Sequence, residues 1–408
     1  MNSNDSRSDD IIRIVVVGAG WWSQGWHLPQ ISRNQNVKIL AIVDPCHHPT
    51  SSLNPDLESL TTLSTKYDCL IFRDVSHLLS NDYVRASMNG VIVCTPHHTH
   101  YEVGMQLLEE CRNRRICRPP KDLFILMEKP ISTNMKDCVK MHNFITSFDL
   151  NRFFLVNHSA NYRTQARIAR EWIASDQIGS IQHINASMAS PLTWLFENPK
   201  NIGWVQPSVH DDTMLGNGFA WGQSCHLLGW IYHVISGQNN IQPQKVFCSM
   251  QCSKSSGADI SHTATVICTN DVNMSVSGTC LLPGYEHDDP PVSKKIDIAI
   301  YGTKGVLYYE GLDRDVNSGH LRIIRHDGKN LDEEKLGFQF ENCVSEGMGP
   351  ESLQEFLDAC RGKLDYYCGA DSHVALCTVK TIEAMYRSNH LETLVSVFHD
   401  DEQLQKII

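Results

Sequence analysis

The sequence predicts a two-part α/β protein: a parallel, doubly wound sheet over residues 11–150, then an α+β domain over residues 151–408 with an antiparallel sheet. Three observations lead there. Strand-like and helix-like segments alternate through the first 150 residues, the order that builds β-α-β units. A glycine turn directly follows the first strand. After residue 150, strand-like runs succeed one another with Gly, Asp and Asn between them, as antiparallel pairing requires. The length of 408 residues fits this division, since single cores stop growing at about 250–300 residues. The polar stretch 1–10, MNSNDSRSDD, reads as a disordered tail.

Ile11 to Val17 (IIRIVVV) is a continuous β-branched run, as expected of a strand buried on both faces. The glycine turn opens a helix running to about Arg33. Val37 to Val43 is the second strand and stops at Asp44-Pro45; Asn89 to Cys94 is the third and stops at Thr95-Pro96. In the next helix Tyr101, Met105, Leu108 and Cys111 form a stripe at three- and four-residue spacing. Leu123 to Met127 is a further strand, closed by Glu128-Lys129-Pro130. In the second domain Phe153 to Val156 reads as a short strand and Thr164 to Ala174 as a helix. Ile181–Met188, Val246–Gln251, Thr263–Cys268, Met274–Thr279 and Ile296–Tyr301 read as strands. Leu353, Phe356, Leu357 and Cys360 mark one late helix; Ala375, Val379, Ile382 and Tyr386 mark another. The stretch 198–218 is a long loop, and such loops in compact domains are functional or disordered.

Composition excludes several function classes. Hydrophobic content of 41% and charged content of 20% describe a soluble globular chain. A net charge of −11 argues against a nucleic-acid partner, whose phosphates require a basic face. The one basic run, Arg112, Arg114, Arg115, Arg118 and Lys121, reads as a solvated loop. Fifteen cysteines without a Cys-x-x-Cys pair point to free thiols in a reducing compartment. No apolar stretch reaches the ~20 residues needed to span a bilayer, and the N-terminus lacks an apolar signal core. A cytoplasmic protein without membrane contact is the expectation.

Chemistry concentrates at strand C-termini, where open α/β sheets bind ligands. Gly18-Ala19-Gly20-Trp21-Trp22-Ser23 links the first strand to its helix. Gly18 suits the tight turn, Gly20 admits a pyrophosphate against the helix N-terminus, and Ser23 stands at the third glycine position. Asp44 ends the second strand, 24 positions after Gly20. A carboxylate there accepts hydrogen bonds from ribose hydroxyls and repels a 2′-phosphate, and no arginine follows it directly. NAD is therefore favoured over NADP. Thr95, Pro96, His97 and His100 lie after the third strand. Glu128 and Lys129 close the strand that follows.

The ordered set GAGWWS, IVDP, CTPHHTH, MEKP, NHSANYR, QIGSI and a glycine-flanked segment ending in His226 resembles the Gfo/Idh/MocA (glucose–fructose oxidoreductase / inositol dehydrogenase) family over nearly the whole chain. The resemblance implies an N-terminal Rossmann domain that binds NAD(P). It also implies a C-terminal domain whose large, mostly antiparallel sheet forms the interface of a dimer or tetramer. It places Lys129 between nicotinamide and substrate, Arg163 near the substrate pocket, and His226 as the general base. Trp194, Trp204 and Trp221 flank the presumed cleft, where aromatic faces suit sugar rings and core packing is the commoner fate; Trp221 and Gln223 join the substrate-binding set. The family's Asp, four residues before the histidine, is Gly222 here; Gln223, Asp211 or Asp212 are the residues available to replace it. The implied activity is hydride transfer between nicotinamide and a hydroxyl or carbonyl carbon of a sugar, polyol or cyclitol. A non-catalytic dinucleotide sensor and an NAD-using glycosidase are alternatives within the family. His97, His98 and His100, and His287 before Asp288-Asp289, match no metal-ligand pattern, so no metal is expected.

Overall fold

The computed structural model describes residues 11–117, 122–205, 209–210, 213–214, 216–238, 241–285, 291–313, 315, 317–333, 337–338, 340 and 348–398. Asp211, Asp212, His287, Asp288, Asp289, Arg118, Lys121 and the N-terminal tail lie outside them. Two compact units emerge: Met1–Ser132, Asp137–Asn157 and Cys343–Ser372 form the first, and Thr133–Lys136, His158–Asn342 and His373–Ile408 the second.

The first unit holds β1 (Ile12–Val17), β2 (Val37–Val43), β3 (Leu70–Phe72), β4 (Gly90–Val93), β5 (Phe124–Glu128) and β6 (Phe154–Asn157), in the order β3-β2-β1-β4-β5-β6. Every pair is parallel. The β-branched run reads correctly: Ile14, Val15 and Val16 are wholly buried. The first sheet therefore has its β1–β4 seam, the point where strand order reverses, beside the glycine turn. The basic run is a correction. Arg112, Arg114 and Arg115 lie on the helix His100–Cys117, and Arg114 is buried, 2.9 Å from Glu110 one turn earlier and bonded to the Met88 carbonyl. Its charge is satisfied inside the unit rather than by solvent.

The second unit is built on a nine-stranded sheet. Its members are β7 (Ile181–Ala189), β10 (Pro243–Cys252), β11 (Asp259–Cys268), β12 (Asn273–Thr279), β13 (Lys295–Gly302), β14 (Gly305–Leu312), β15 (His320–Arg325), β16 (Leu331–Glu333) and β17 (Val395–Ser396). A separate two-stranded hairpin, β8 (Val209–His210) and β9 (Thr213–Met214), lies in the long loop. The order is β16-β15-β14-β13-β7-β12-β11-β10-β17, antiparallel throughout except where β12 pairs with β7. Alternation sets the faces: Ile296, Ile298 and Ile300 point into the core while Lys295 and Asp297 are exposed. The helix Cys225–Ile235 is buried all round, as its apolar sequence demands.

Candidate functional site

In the first unit, local sequence forces the turn. Gly18 has φ +101°, and its amide donates to the Val43 carbonyl at 2.8 Å. A Cβ there would stand 2.6 Å from the Cys94 carbonyl oxygen, so only glycine fits. At Gly20 a Cβ would meet nothing within 4 Å, leaving the backbone open to approach. The chain is helical from Trp21 to Arg33, with Ser23–His27 wound as a π-turn, the form that absorbs one extra residue. Ser23 is fully buried, as close helix–strand packing at the third fingerprint position requires. This cradle fits a dinucleotide pyrophosphate.

Asp44 clips the turn to β2: one carboxylate oxygen accepts from the Ala19 amide at 2.7 Å and the other from the Cys46 amide at 2.8 Å. Each oxygen keeps a further lone pair for a ribose hydroxyl. The sequence reading overlooked Arg73. It follows β3, whose Phe72 carbonyl accepts from the Asp44 amide, so an arginine does stand one strand over, paired with Asp74 at 3.2 Å.

Around Lys129 the geometry tightens. Glu128 is buried, and one oxygen, Oε1, accepts from His27 Nε2 at 2.8 Å, Asn157 Nδ2 at 2.8 Å and Trp22 Nε1 at 3.0 Å. Burial alone would raise the Glu128 carboxyl, but the three donors outweigh it and hold it at about 2. Trp22 also stacks on Trp26, and Trp21 meets Trp22 edge-on. After Lys129, the Pro130 carbonyl lies 2.6 Å from His100 Nδ1, whose Nε2 lies 3.0 Å from the Thr95 carbonyl. His100 is wholly buried with both nitrogens on backbone carbonyls, so anything it does for a cofactor passes through Thr95 and Pro130. His97 packs edge-on at 5.7 Å from the His100 ring, and Thr99 closes the Thr95-Pro96 turn by donating to Thr95 Oγ1 at 2.8 Å.

In the second unit His226 opens the buried helix, just after a π-wound turn at Ala220–Ser224. Asp259 caps that turn: it accepts from the Ala220 amide at 2.8 Å and the Tyr386 hydroxyl at 2.5 Å. A side chain at Gly222 would be tightly packed against aromatic rings. A Cβ would stand 3.1 Å from Phe196 Cζ and 3.2 Å from Trp204 Cζ3, an aromatic wall. Gln223 carries the polar contact instead, accepting at 2.9 Å from the buried Lys294. Lys294 went unnoticed in the sequence, though a signal existed: it is in phase with inward Ile296, Ile298 and Ile300. Arg163 is buried at the start of the helix Thr164–Ala174. Of the two fates open to Trp221, packing is the one seen here: its ring is fully enclosed and stacked on Tyr386. Trp194 and Trp204 meet Tyr285 and Phe196 edge-on. Among the described residues no group of His, Cys, Asp or Glu is arranged to hold a metal, and no helix is long and apolar enough to cross a membrane.

Two family models match the chain: the oxidoreductase family with an NAD-binding Rossmann fold over residues 12–149, and the GFO/IDH/MocA C-terminal domain over residues 166–308. The chain belongs to the Gfo/Idh/MocA family. Its first unit is the NAD-binding Rossmann domain, and the protein is an NAD-binding oxidoreductase. Solved structures with this fold include an NAD-binding oxidoreductase from Klebsiella pneumoniae, with 14% identity, a TM-score of 0.66, and 96% of this chain and 100% of that one covered. An oxidoreductase domain protein from Kribbella flavida has 14% identity and a TM-score of 0.64, with 95% and 100% covered. GenD2 from gentamicin A biosynthesis, in complex with NAD, has 14% identity and a TM-score of 0.64, with 96% and 97% covered. No curated protein matches the chain by sequence.

Restoring the family carboxylate tests the aromatic wall. Gly222→Asp is expected to lose about 2–3 kcal/mol of stability, because its carboxylate would be desolvated against Phe196 and Trp204. Thermal melting measures this; a Gly222→Asp protein with unchanged melting and higher turnover would show the wall to be pliable.

The buried titratable groups also set the acid limit of this family member. Burial pulls His262 down to about 4; burial, with the charge of Arg170 next, pulls His233 down to about 3. Burial lowers His100 as well, against the pull of its carbonyl partners. These histidines stay neutral when folded and take up protons when unfolded, so their stabilising effect is lost as pH falls through roughly 6.5, the unfolded value. Asp259, pushed up to about 6 by burial, works oppositely between about 4 and 6. Glu128 contributes above its unfolded value and is lost only below about pH 4.5. Unfolding near pH 5 is therefore expected to take up about one to two protons from these groups. The melting temperature should fall between pH 7 and 5; a flat profile would contradict the assignment.

Proposed function

We propose that the protein is an NAD-dependent dehydrogenase acting on a carbinol carbon of a sugar, polyol or cyclitol-like substrate. The observation that carries this reading is Lys129, placed at a strand C-terminus between a caged carboxylate and a fixed carbonyl. Its ammonium donates a hydrogen bond to the substrate oxygen and stabilises the negative charge that grows there. When bound, NAD supplies the hydride acceptor. His226 takes the hydroxyl proton, which its imidazole suits near neutrality. Gln223 with Lys294, and Arg163, hold the remaining polar groups of the substrate. Asp44 and the glycine turn hold the dinucleotide, with the 2′-hydroxyl form preferred. The open face of the nine-stranded sheet, where Phe247 and Ile324 are exposed, forms the contact between subunits of a homo-oligomer.

A second reading, a dinucleotide-binding sensor, is favoured by the aromatic wall at Gly222. The deciding experiment incubates the purified protein and its His226→Asn variant with NAD and a panel of sugars, polyols and cyclitols. The dehydrogenase reading expects NADH to form with at least one of them and to fall by about 10²–10⁴-fold in the variant. NAD binding without turnover across the panel supports the sensor, and cleavage of chromogenic glycosides with no net NADH supports a glycosidase.

A further inference from the structure

Lys129 is the residue whose placement matters most to the reading above, and that placement starts from its backbone. The residues on either side of it are tied down. Before it, Glu128 has three donors on a single oxygen, two of them from the segment that follows the glycine turn (Trp22 and His27) and one from the end of β6 (Asn157). Burying a carboxylate is costly unless it is well hydrogen-bonded, so this cage leaves Glu128 little alternative orientation. After it, His100 reaches across from the helix following β4 and sets Nδ1 2.6 Å from the Pro130 carbonyl, the shorter of its two contacts and the one its single N–H serves, with Nε2 3.0 Å from the Thr95 carbonyl. His27 and His100 are both nearly or wholly inaccessible, and neither is placed to touch substrate.

We propose that His27 and His100 are positioning residues for Lys129, His27 acting through Glu128 and His100 through Pro130, together presetting the ammonium at the strand end. This rests on the role assigned to Lys129 under the proposed function. The two histidines couple three strand ends, those of β1, β4 and β5, so that the turn receiving the dinucleotide and the strand carrying Lys129 share one rigid frame.

Two measurements test it. The first needs no turnover: limited acetylation of the intact protein with acetic anhydride, followed by mass spectrometry of the Lys129 peptide. His27→Gln and His100→Gln, which keep a donor of similar reach, should leave the Lys129 rate relative to exposed lysines within about twofold of wild type. His27→Ala and His100→Ala should change it by threefold or more. The second is a KM-against-kcat comparison on any substrate found, at saturating NAD. The alanine variants should lose about ten- to a hundredfold in kcat with NAD affinity within about threefold, and the glutamine variants should recover most of it. Unchanged Lys129 acetylation and unchanged kcat in both alanine variants overturn the proposal. If Lys129→Ala itself turns over normally, the reading of Lys129 falls and the proposal with it; if Lys129→Ala collapses while the histidine variants do not, only the proposal falls. Should an alanine variant fail to fold, the glutamine variants decide: a glutamine variant with alanine-like loss of kcat at wild-type melting temperature also overturns it.

Discussion

Lys129→Ala is expected to bind NAD within about threefold of wild type and to turn over about 10²–10³-fold more slowly. The proposed seat of the dinucleotide is the Gly18–Ser23 turn with Asp44, which the substitution leaves in place. In the role proposed for Lys129, what is lost is a positive charge facing the oxygen on which negative charge develops. Removing one such donor costs on the order of 3–4 kcal/mol of transition-state stabilisation, which sets the range. Lys129→Arg is the informative companion. It keeps the charge but replaces a compact ammonium with a planar fork, and the fixed backbone at Glu128 and Pro130 leaves little room to readjust. It should recover less than a tenth of the lost rate. Calorimetric NAD titration together with steady-state kinetics checks both, and near-normal turnover in Lys129→Ala would remove it from the mechanism.

The second large effect is expected at Gly18. Gly18→Ala requires an L-residue at φ +101° and drives its Cβ to 2.6 Å from the Cys94 carbonyl oxygen. That neighbour is backbone at the end of β4 and cannot rotate away. Relief must come from parting β1 and β4, which strains the Gly18–Val43 hydrogen bond and the Ala19–Asp44 clip. A loss of about 2–4 kcal/mol follows from strain of this kind, or roughly 5–10 °C in melting temperature. NAD affinity should fall tenfold or more, since the turn is the dinucleotide's seat. A Gly18→Ala protein that melts and binds NAD like wild type would mean that the turn is more pliable than its geometry indicates.

The two halves of the chain were unequally legible. β1, β2, β4 and β5 are short apolar runs punctuated by Gly, Asp-Pro, Thr-Pro and Lys-Pro, so their existence and ends are written locally. β3 has three residues and β17 two, too few to show a period, whereas β14 to β16 are bounded by Gly302-Thr303-Lys304-Gly305 and Asp327-Gly328, turn signals that the strand reading above does not use. The return of the helix Glu351–Cys360 to β5 in the first unit is likewise unannounced, because its apolar stripe fits any hydrophobic partner. At the site, the tight turn at Gly18, the open backbone at Gly20 and the carboxylate of Asp44 after β2 could be read because they follow from backbone conformation and strand position. Trp221 leaves two readings open in the sequence: nothing local distinguishes an indole facing a cleft from one stacked on Tyr386, 165 positions away.

By itself the sequence determined the nucleotide half: the parallel sheet, the glycine turn at its seam, the carboxylate after β2 and the lysine after β5. Periodicity and turn chemistry act over a few residues, and that suffices where the function sits in short strand-end loops. Only the tertiary structure decided what surrounds those residues. It placed His27 and Asn157 on Glu128, His100 on Pro130, Lys294 on Gln223, Asp259 under the turn before His226, and aromatic rings where a carboxylate was expected. Each of those contacts joins residues roughly 30 to 100 positions apart or is a matter of volume at one point. Hydrogen bonding and packing at that range depend on how the sheets bring their ends together, and no local pattern in the chain records it.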